Sequence, residues 1–319
     1  MKLKNSKHYQ FNSLMEISLL KTWIFALSLI LGTLFLTGCE KDDDPAVKPV
    51  TEKTEEKDRT ENSEESGQIT LYKVTDEKLE KIKDYEVSGE DLKIQKAIAK
   101  HQKLWDLTKR IIPQDYRKYV GEFMILSSEE IAGYVSEIKQ DLSQWQFGLA
   151  LNLAYSNGEP DNNKEFLYTI IHEFGHILSL NISQVDATID ENSCSHYFTG
   201  EGCARANSYF YKFYDKFWEP IWHEFIKVES EEERYAFYEK HSTQFVSDYA
   251  ATNPGEDFAE TFATFVMSDK PENTSIANEK LIFMHQHEEL VKLRDHIRAE
   301  LKVNLSLKSI RISRIPWKR

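Results

Sequence analysis

Between Lys164 and Leu180, apolar residues recur at helical spacing (Leu167, Ile170, Ile171, Phe174, Ile177, Leu178), and among them stands His172-Glu173-Phe174-Gly175-His176. Asn162 followed by Glu165 supplies a capping box at the start of this helix. Residues four apart on a helix face the same way, so both imidazoles reach one ion while Glu173 turns toward the neighbouring position. The five residues alone recur in unrelated proteins, where a helical histidine is a satisfied core or surface group. A third ligand is therefore required.

A catalytic zinc takes three protein ligands and leaves one position for water. A histidine six residues beyond His176, preceded by a glycine, would complete one such set. Ser179 and Ile182 stand at those positions and exclude it. The alternative is a glutamate from a later helix, and residues 245–262 offer one: Asn253 and Pro254 mark a helix start, with Glu256 and Glu260 on one face. Ala259 and Ala263 are small enough for this helix to lie close to another, and Phe258, Phe262 and Phe265 supply its buried side. Two carboxylates on such a helix are costly to bury without a cation nearby. Glu256 also stands three residues after Asn253, where a glutamate completes a capping box and needs no metal; Glu260 would then be the ligand.

The stretch Tyr249-Ala250-Ala251-Thr252-Asn253-Pro254-Gly255-Glu256-Asp257-Phe258-Ala259-Glu260 resembles the matching segment of the lethal-factor-like metallopeptidases, and is similar to zinc-binding metallopeptidase lipoproteins that carry both motifs. The resemblance covers residues 164–268. It implies a gluzincin-type zinc peptidase with His172, His176 and Glu256 as ligands, Glu173 as general base, Tyr249 as oxyanion donor and Glu260 as a supporting carboxylate. Asp257 departs from the lethal-factor-like pattern, which favours an aromatic residue there.

The remaining organisation follows from composition and pattern. A lysine-bearing start (Lys2, Lys4, Lys7, Lys21) leads into the uncharged residues 23–36 and then Leu36-Thr37-Gly38-Cys39, the order of a lipoprotein signal over 1–38 with lipid on Cys39. An uncleaved membrane anchor over 22–39 is the other reading. Residues 39–66, rich in Glu, Lys, Thr and Ser, cannot bury enough apolar surface to order themselves and are expected to be an acidic tether. Lys41-Asp42-Asp43 resembles a surface-export signal, or is an ordinary charged linker. The expected setting is the bacterial cell envelope, lipid-anchored at the outer membrane and exposed at the surface if that signal operates. With 53 acidic against 40 basic side chains, net charge -13 and no long basic stripe, nucleic-acid binding is excluded as a function class.

Residues 67–319 are expected to form one zincin-like α+β domain, a small mixed sheet followed by a mainly helical half, acting as a monomer. Residues 69–74 alternate like an edge strand, 90–112 read as one packing helix and 123–126 as a short apolar run. Residues 127–142 read as a capped helix and 147–153 as a strand whose edge could receive an extended substrate. Phe210, Phe213, Tyr214, Phe217 and Trp218 recur at helical spacing as core. Cys194 and Cys203 are expected to pair as a disulfide, against a second metal site with His196.

The expected chemistry is hydrolysis of a protein or peptide substrate by a Zn2+-activated water, with Glu173 moving the proton and Tyr249 holding the oxyanion. Two alternatives stand beside it: a non-catalytic binding lipoprotein with a structural or vestigial zinc site, and an amide hydrolase acting on cell-wall or other non-protein amides.

Overall fold

The computed structural model describes residues 67–301. The expected leader, the lipid-bearing Cys39 and the tether over 39–66 lie outside the described residues, as does the chain beyond 301.

The first half builds a five-stranded sheet. In chain order it contains β1 (Gln68–Thr75), β2 (Lys78–Asp84), α1 (Gly89–Lys96), α2 (Ile98–Ile111), α3 (Gln114–Arg117), β3 (Val120–Leu126), β4 (Gly133–Glu137), β5 (Trp145–Ala150) and α4 (Leu151–Ala154). The second half is helical apart from one small strand pair: α5 (Lys164–Leu180), β6 (Val185–Asp186), β7 (Cys203–Ala204), α6 (Tyr209–Phe217), α7 (Glu219–Phe225), α8 (Glu231–Lys240), α9 (Pro254–Met267), α10 (Ile276–His285) and α11 (Glu288–Leu301). The class is α+β with a small mixed sheet, as the residue pattern indicates.

The sheet order is β2-β1-β3-β5-β4; β3 and β5 run parallel, and the other neighbours are antiparallel. Two expectations about its edges are corrected. β1 is interior, because the lysine-rich β2 folds back on it through Asp76 and Glu77, both in left-handed conformation. The charged, largely exposed β2 carries too little apolar alternation to be read as a strand, which suits an edge exposed to solvent. Strand β5 is also interior, ends at Ala150, and has β4 on its outer side. The outer edge nearest α5 thus belongs to β4.

Residues 127–142 do not form the expected helix. The Ser128 hydroxyl accepts from the backbone N–H groups of Glu130 and Ile131, and Asn152 brackets Ser128 by accepting from its N–H at 3.1 Å and donating to its carbonyl at 2.7 Å. These bonds compete with helix formation, and residues 133–137 pair with β5 instead. The single helix expected over 90–112 is broken at Ala97. The released Ile94 carbonyl takes the His101 Nε2 proton at 2.9 Å, while His101 Nδ1 accepts from the Tyr72 hydroxyl at 2.7 Å. The cap of α5 is Asn163 rather than Asn162; its side chain accepts from the Phe166 N–H.

Helix α5 packs between the sheet and α9, and the aromatic run of α6 lies in the core as expected, with Phe213 and Trp218 fully buried. Asp257 on α9 and Lys280 on α10 form an ion pair with both side chains inaccessible to solvent. Asp257 also accepts from Trp218 Nε1 at 2.7 Å, and the Lys280 ammonium lies 4.3 Å from the Phe245 ring centre. Burial pushes the Asp257 carboxyl up and the Lys280 ammonium down, so each depends on the other for its charge. Lys280→Met should cost about 3–5 kcal/mol, and adding Asp257→Asn should recover much of it, because the single change strands a buried carboxylate. Urea denaturation of the two variants measures this. A single variant as stable as the parent would show the pair to be expendable.

Candidate metal centre

Helix α5 is cut off from water along almost its whole length, and its second half presents His172, Glu173 and His176. Helix α9 begins at Pro254, whose missing N–H costs nothing at a first helical position, and Asn253 accepts from the Glu256 N–H at 2.9 Å. The capping reading of Glu256 is therefore half of its role: its backbone joins the cap while its carboxylate points to the histidines. A carboxylate in this first turn also meets the positive end of the helix.

The two helices meet at Gly175. A Cβ built there would lie 2.9 Å from the Ala259 Cα and 3.3 Å from the Ala259 Cβ, closer than packed atoms tolerate. The absence of a side chain at 175 and the small one at 259 allow the crossing, which sets Glu256 opposite the histidine pair.

The resulting geometry is compact. His172 Nε2 and His176 Nε2 are 3.1 Å apart. Glu256 Oε2 lies 3.1 Å from the first and 3.3 Å from the second. Although surrounded by nitrogen, Glu256 Oε2 is buried without a properly aligned hydrogen bond. Donor atoms held about 2.0–2.1 Å from a tetrahedral ion sit roughly 3.3 Å from one another. The three atoms thus have the spacing of a coordination shell, and His172, His176 and Glu256 form the candidate metal cluster among the described residues.

A second carboxylate fixes the orientation. Glu260 Oε1 is 2.9 Å from His172 Nδ1 and accepts its proton, which leaves a lone pair on Nε2 facing the cluster. The other Glu260 oxygen accepts from the Ser247 hydroxyl. The Glu260 main-chain carbonyl takes the Tyr168 hydroxyl at 3.1 Å. Ser247 and Tyr168 were not read from the sequence. Ser247 lies two residues before Tyr249, but serine is too common for that spacing to single it out, and Tyr168 looks like any other residue on an apolar helix.

The electrostatics favour a cation. Burial opposes a charged His172, yet the adjacent carboxylates of Glu256 and Glu260 raise its pKa well above the usual imidazole value. Burial also works against ionised Glu256, but the charge of His176 and the close approach of both imidazoles hold its carboxyl well below the usual range. Burial raises the Glu173 carboxyl despite opposition from His172 and His176. Three carboxylates and two imidazoles are thus enclosed together, and a divalent ion offsets the excess negative charge. Each of His172, His176 and Glu256 keeps 6–7% of its surface accessible.

Tyr249 stands at the start of the 3-10 turn Tyr249–Thr252, its ring centre 5.9 Å from that of His172 and its hydroxyl bonded to the Glu256 side chain. Burial first, and then the charges of Glu256 and Glu173, hold its pKa well above the ordinary phenol value. Its hydroxyl therefore remains a proton donor throughout the neutral range. On the opposite side of α5, a Cβ built at Gly133 of β4 would lie 3.1 Å from Glu173 Cγ and 2.9 Å from Thr169 Cγ2, so β4 runs directly over the helix.

Cys194 and Cys203 take no part in metal binding, because they are joined in a disulfide.

Residues 148–302 match the family model described as "Putative zinc-binding metallo-peptidase", a span that runs from β5 to the end of α11 and includes every residue of the cluster. No curated protein and no solved structure matches the chain.

Two substitutions separate ligand from support. Glu256→Ala should abolish zinc binding measured by chelator competition, whereas Glu260→Ala should weaken it about 10–100-fold, the usual effect of losing a carboxylate behind a histidine ligand. Gly175→Ala should likewise reduce zinc affinity while helical content by circular dichroism is retained, because the helices must move apart. Unchanged affinity in Gly175→Ala would separate the metal site from the α5–α9 crossing.

Proposed function

We propose, for a chain whose residues 148–302 match a model of zinc-binding metallopeptidases, that it is an extracytoplasmic zinc peptidase of the HExxH gluzincin type, hydrolysing peptide bonds with His172, His176 and Glu256 as ligands. The observation that carries this reading is the convergence of His172 Nε2, His176 Nε2 and Glu256 Oε2 within 3.3 Å of one another, with Glu173 and Tyr249 at the same site. A purely structural zinc has no use for those last two groups.

Zinc held there would supply a Lewis acid that acidifies water and polarises the scissile carbonyl. Glu173 takes the proton of the attacking water and delivers it to the departing amine. Its raised pKa brings it nearer the range in which a group both accepts and releases a proton. Tyr249, kept protonated by burial, donates to the oxygen that becomes negative as the carbonyl carbon turns tetrahedral. Glu260 holds the His172 tautomer. An extended substrate would pair with the outer edge of β4, which β5 leaves free and which passes over Glu173.

Location outside the cytoplasm, with lipid on Cys39 at the outer membrane, is supported by the leader residues and by the Cys194–Cys203 disulfide, a bond that persists in oxidising compartments.

Glu173→Gln should eliminate cleavage of a mixed peptide library while the chain keeps its full zinc content. Tyr249→Phe should retain zinc and lower kcat about 10²–10³-fold, the typical effect of removing one oxyanion donor. Cleavage surviving in Glu173→Gln removes the proposed base. Turnover of purified peptidoglycan without turnover of peptides would move the substrate from protein to cell-wall amides.

A further inference from the structure

Between β6 and α6 the chain makes a tight turn over residues 198–203. Phe198 bridges to Cys203, the Thr199 N–H donates to the Gly202 carbonyl at 2.9 Å, and the Glu201 N–H reaches the Thr199 hydroxyl at 3.3 Å. Gly200 adopts φ 104°, which a side chain would resist. Gly202 is pressed against β6, where a Cβ would lie 2.5 Å from the Asp186 carbonyl. The Cys194–Cys203 disulfide closes the base of the turn. A segment held at so many points fixes the residue at its tip.

That residue is Glu201. Its Oε2 is buried and has no hydrogen-bond partner. Burial raises the carboxyl to about 7, and the charges that act on it beyond its own turn are those of Glu137, which opposes ionisation, and His176, which favours it. Glu137 is the last residue of β4, and His176 belongs to the metal cluster. The orphaned oxygen therefore lies within electrostatic reach of both the strand edge and the metal centre. A buried acceptor left without a donor is costly, and natural proteins keep such groups where a ligand completes them. With a second carboxylate nearby, the missing donor is positively charged.

We propose that Glu201, assisted by Glu137, recognises a cationic group of the substrate, the ammonium of a lysine or a free N-terminus or the guanidinium of an arginine, beside the metal centre. This specificity rests on the peptidase reading. The turn holds the carboxylate in place, and the charge-assisted bond to a cation that displaces its cover completes the unfilled acceptor. Neutral and acidic residues at the same substrate position leave Glu201 unpaired or repelled.

The experiment uses the zinc-loaded full chain and a set of quenched-fluorescent peptides of one length. One position at a time carries lysine, arginine, norleucine or glutamate, and each peptide has a free or acetylated N-terminus. The parent should cleave cationic peptides with kcat/KM at least about tenfold above their norleucine counterparts, and Glu201→Gln should bring that ratio close to one, mainly through KM. Comparison of the lysine and acetylation arms tells whether a side chain or the N-terminus is read. Glu137→Gln should lower the ratio in part, and it serves in place of Glu201→Gln if that variant does not fold. A parent without cationic preference, or a preference unchanged in both variants, overturns the proposal. Binding of labelled peptides to Glu173→Gln, read by fluorescence anisotropy, is scored independently. Selective binding that depends on Glu201, without cleavage by the parent, sinks the peptidase reading alone; unselective binding sinks the specificity.

Discussion

The contact between Gly175 and Ala259 governs the distance between α5 and α9, and the metal cluster takes its geometry from that distance. Neither helix holds a site alone. Helix α5 supplies two imidazoles whose facing nitrogens offer lone pairs, and α9 supplies a carboxylate from its first turn. At the observed approach these donors lie 3.1–3.3 Å apart, a spacing that repels unless something positive lies among them. A protein that assembles such a cluster in its interior carries a persistent electrostatic cost in the ion-free state. A divalent ion bound there would be coupled to the stability of the folded chain.

The surroundings of the cluster keep it from collapsing. Glu260 is held by Ser247 on one oxygen and by His172 on the other, so it cannot swing inward to become a fourth ligand. One residue after Glu256, Asp257 is tied to Lys280 and Trp218 and anchors the start of α9 to α10 and to the end of α6. Two acidic neighbours on one turn thus have separate duties: Glu256 faces α5, and Asp257 faces the aromatic core around Phe213, Phe217 and Phe245. This accounts for a carboxylate where the lethal-factor-like pattern that the segment resembles favours an aromatic ring. The position is still enclosed by aromatic side chains, and the charge is balanced by a lysine reaching in from α10.

Legibility in the sequence followed the range of the forces involved. The α5 and α9 patterns could be read because helical periodicity, caps and the spacing of His172, Glu173 and His176 are properties of a few consecutive residues. Errors fell where a long-range partner overrode a local preference. Residues 127–142 carry a helical pattern, but 133–137 pair with β5, because Ser128 and Asn152 satisfy the backbone at the turn. The helix over 90–112 breaks where His101 captures the Ile94 carbonyl, an interaction that depends on Tyr72 of β1 holding the imidazole. Strand β2 has no legible alternation because its charged residues face water on both sides, and the free edge belongs to β4 rather than β5.

By itself the sequence determined that one helix would present two histidines and a glutamate, that a later capped helix would carry two candidate carboxylates, and that two cysteines stood close enough to pair. Those features are local, and local steric and hydrogen-bonding preferences suffice to specify them. Only the tertiary structure decided that Glu256 reaches the imidazoles while Glu260 stands behind His172, and that β4 forms the outer strand over Glu173. Each depends on elements distant in the chain meeting at ångström precision, and that meeting is set by the packing of Gly175, Ala259 and Gly133, whose importance lies in the side-chain atoms they lack.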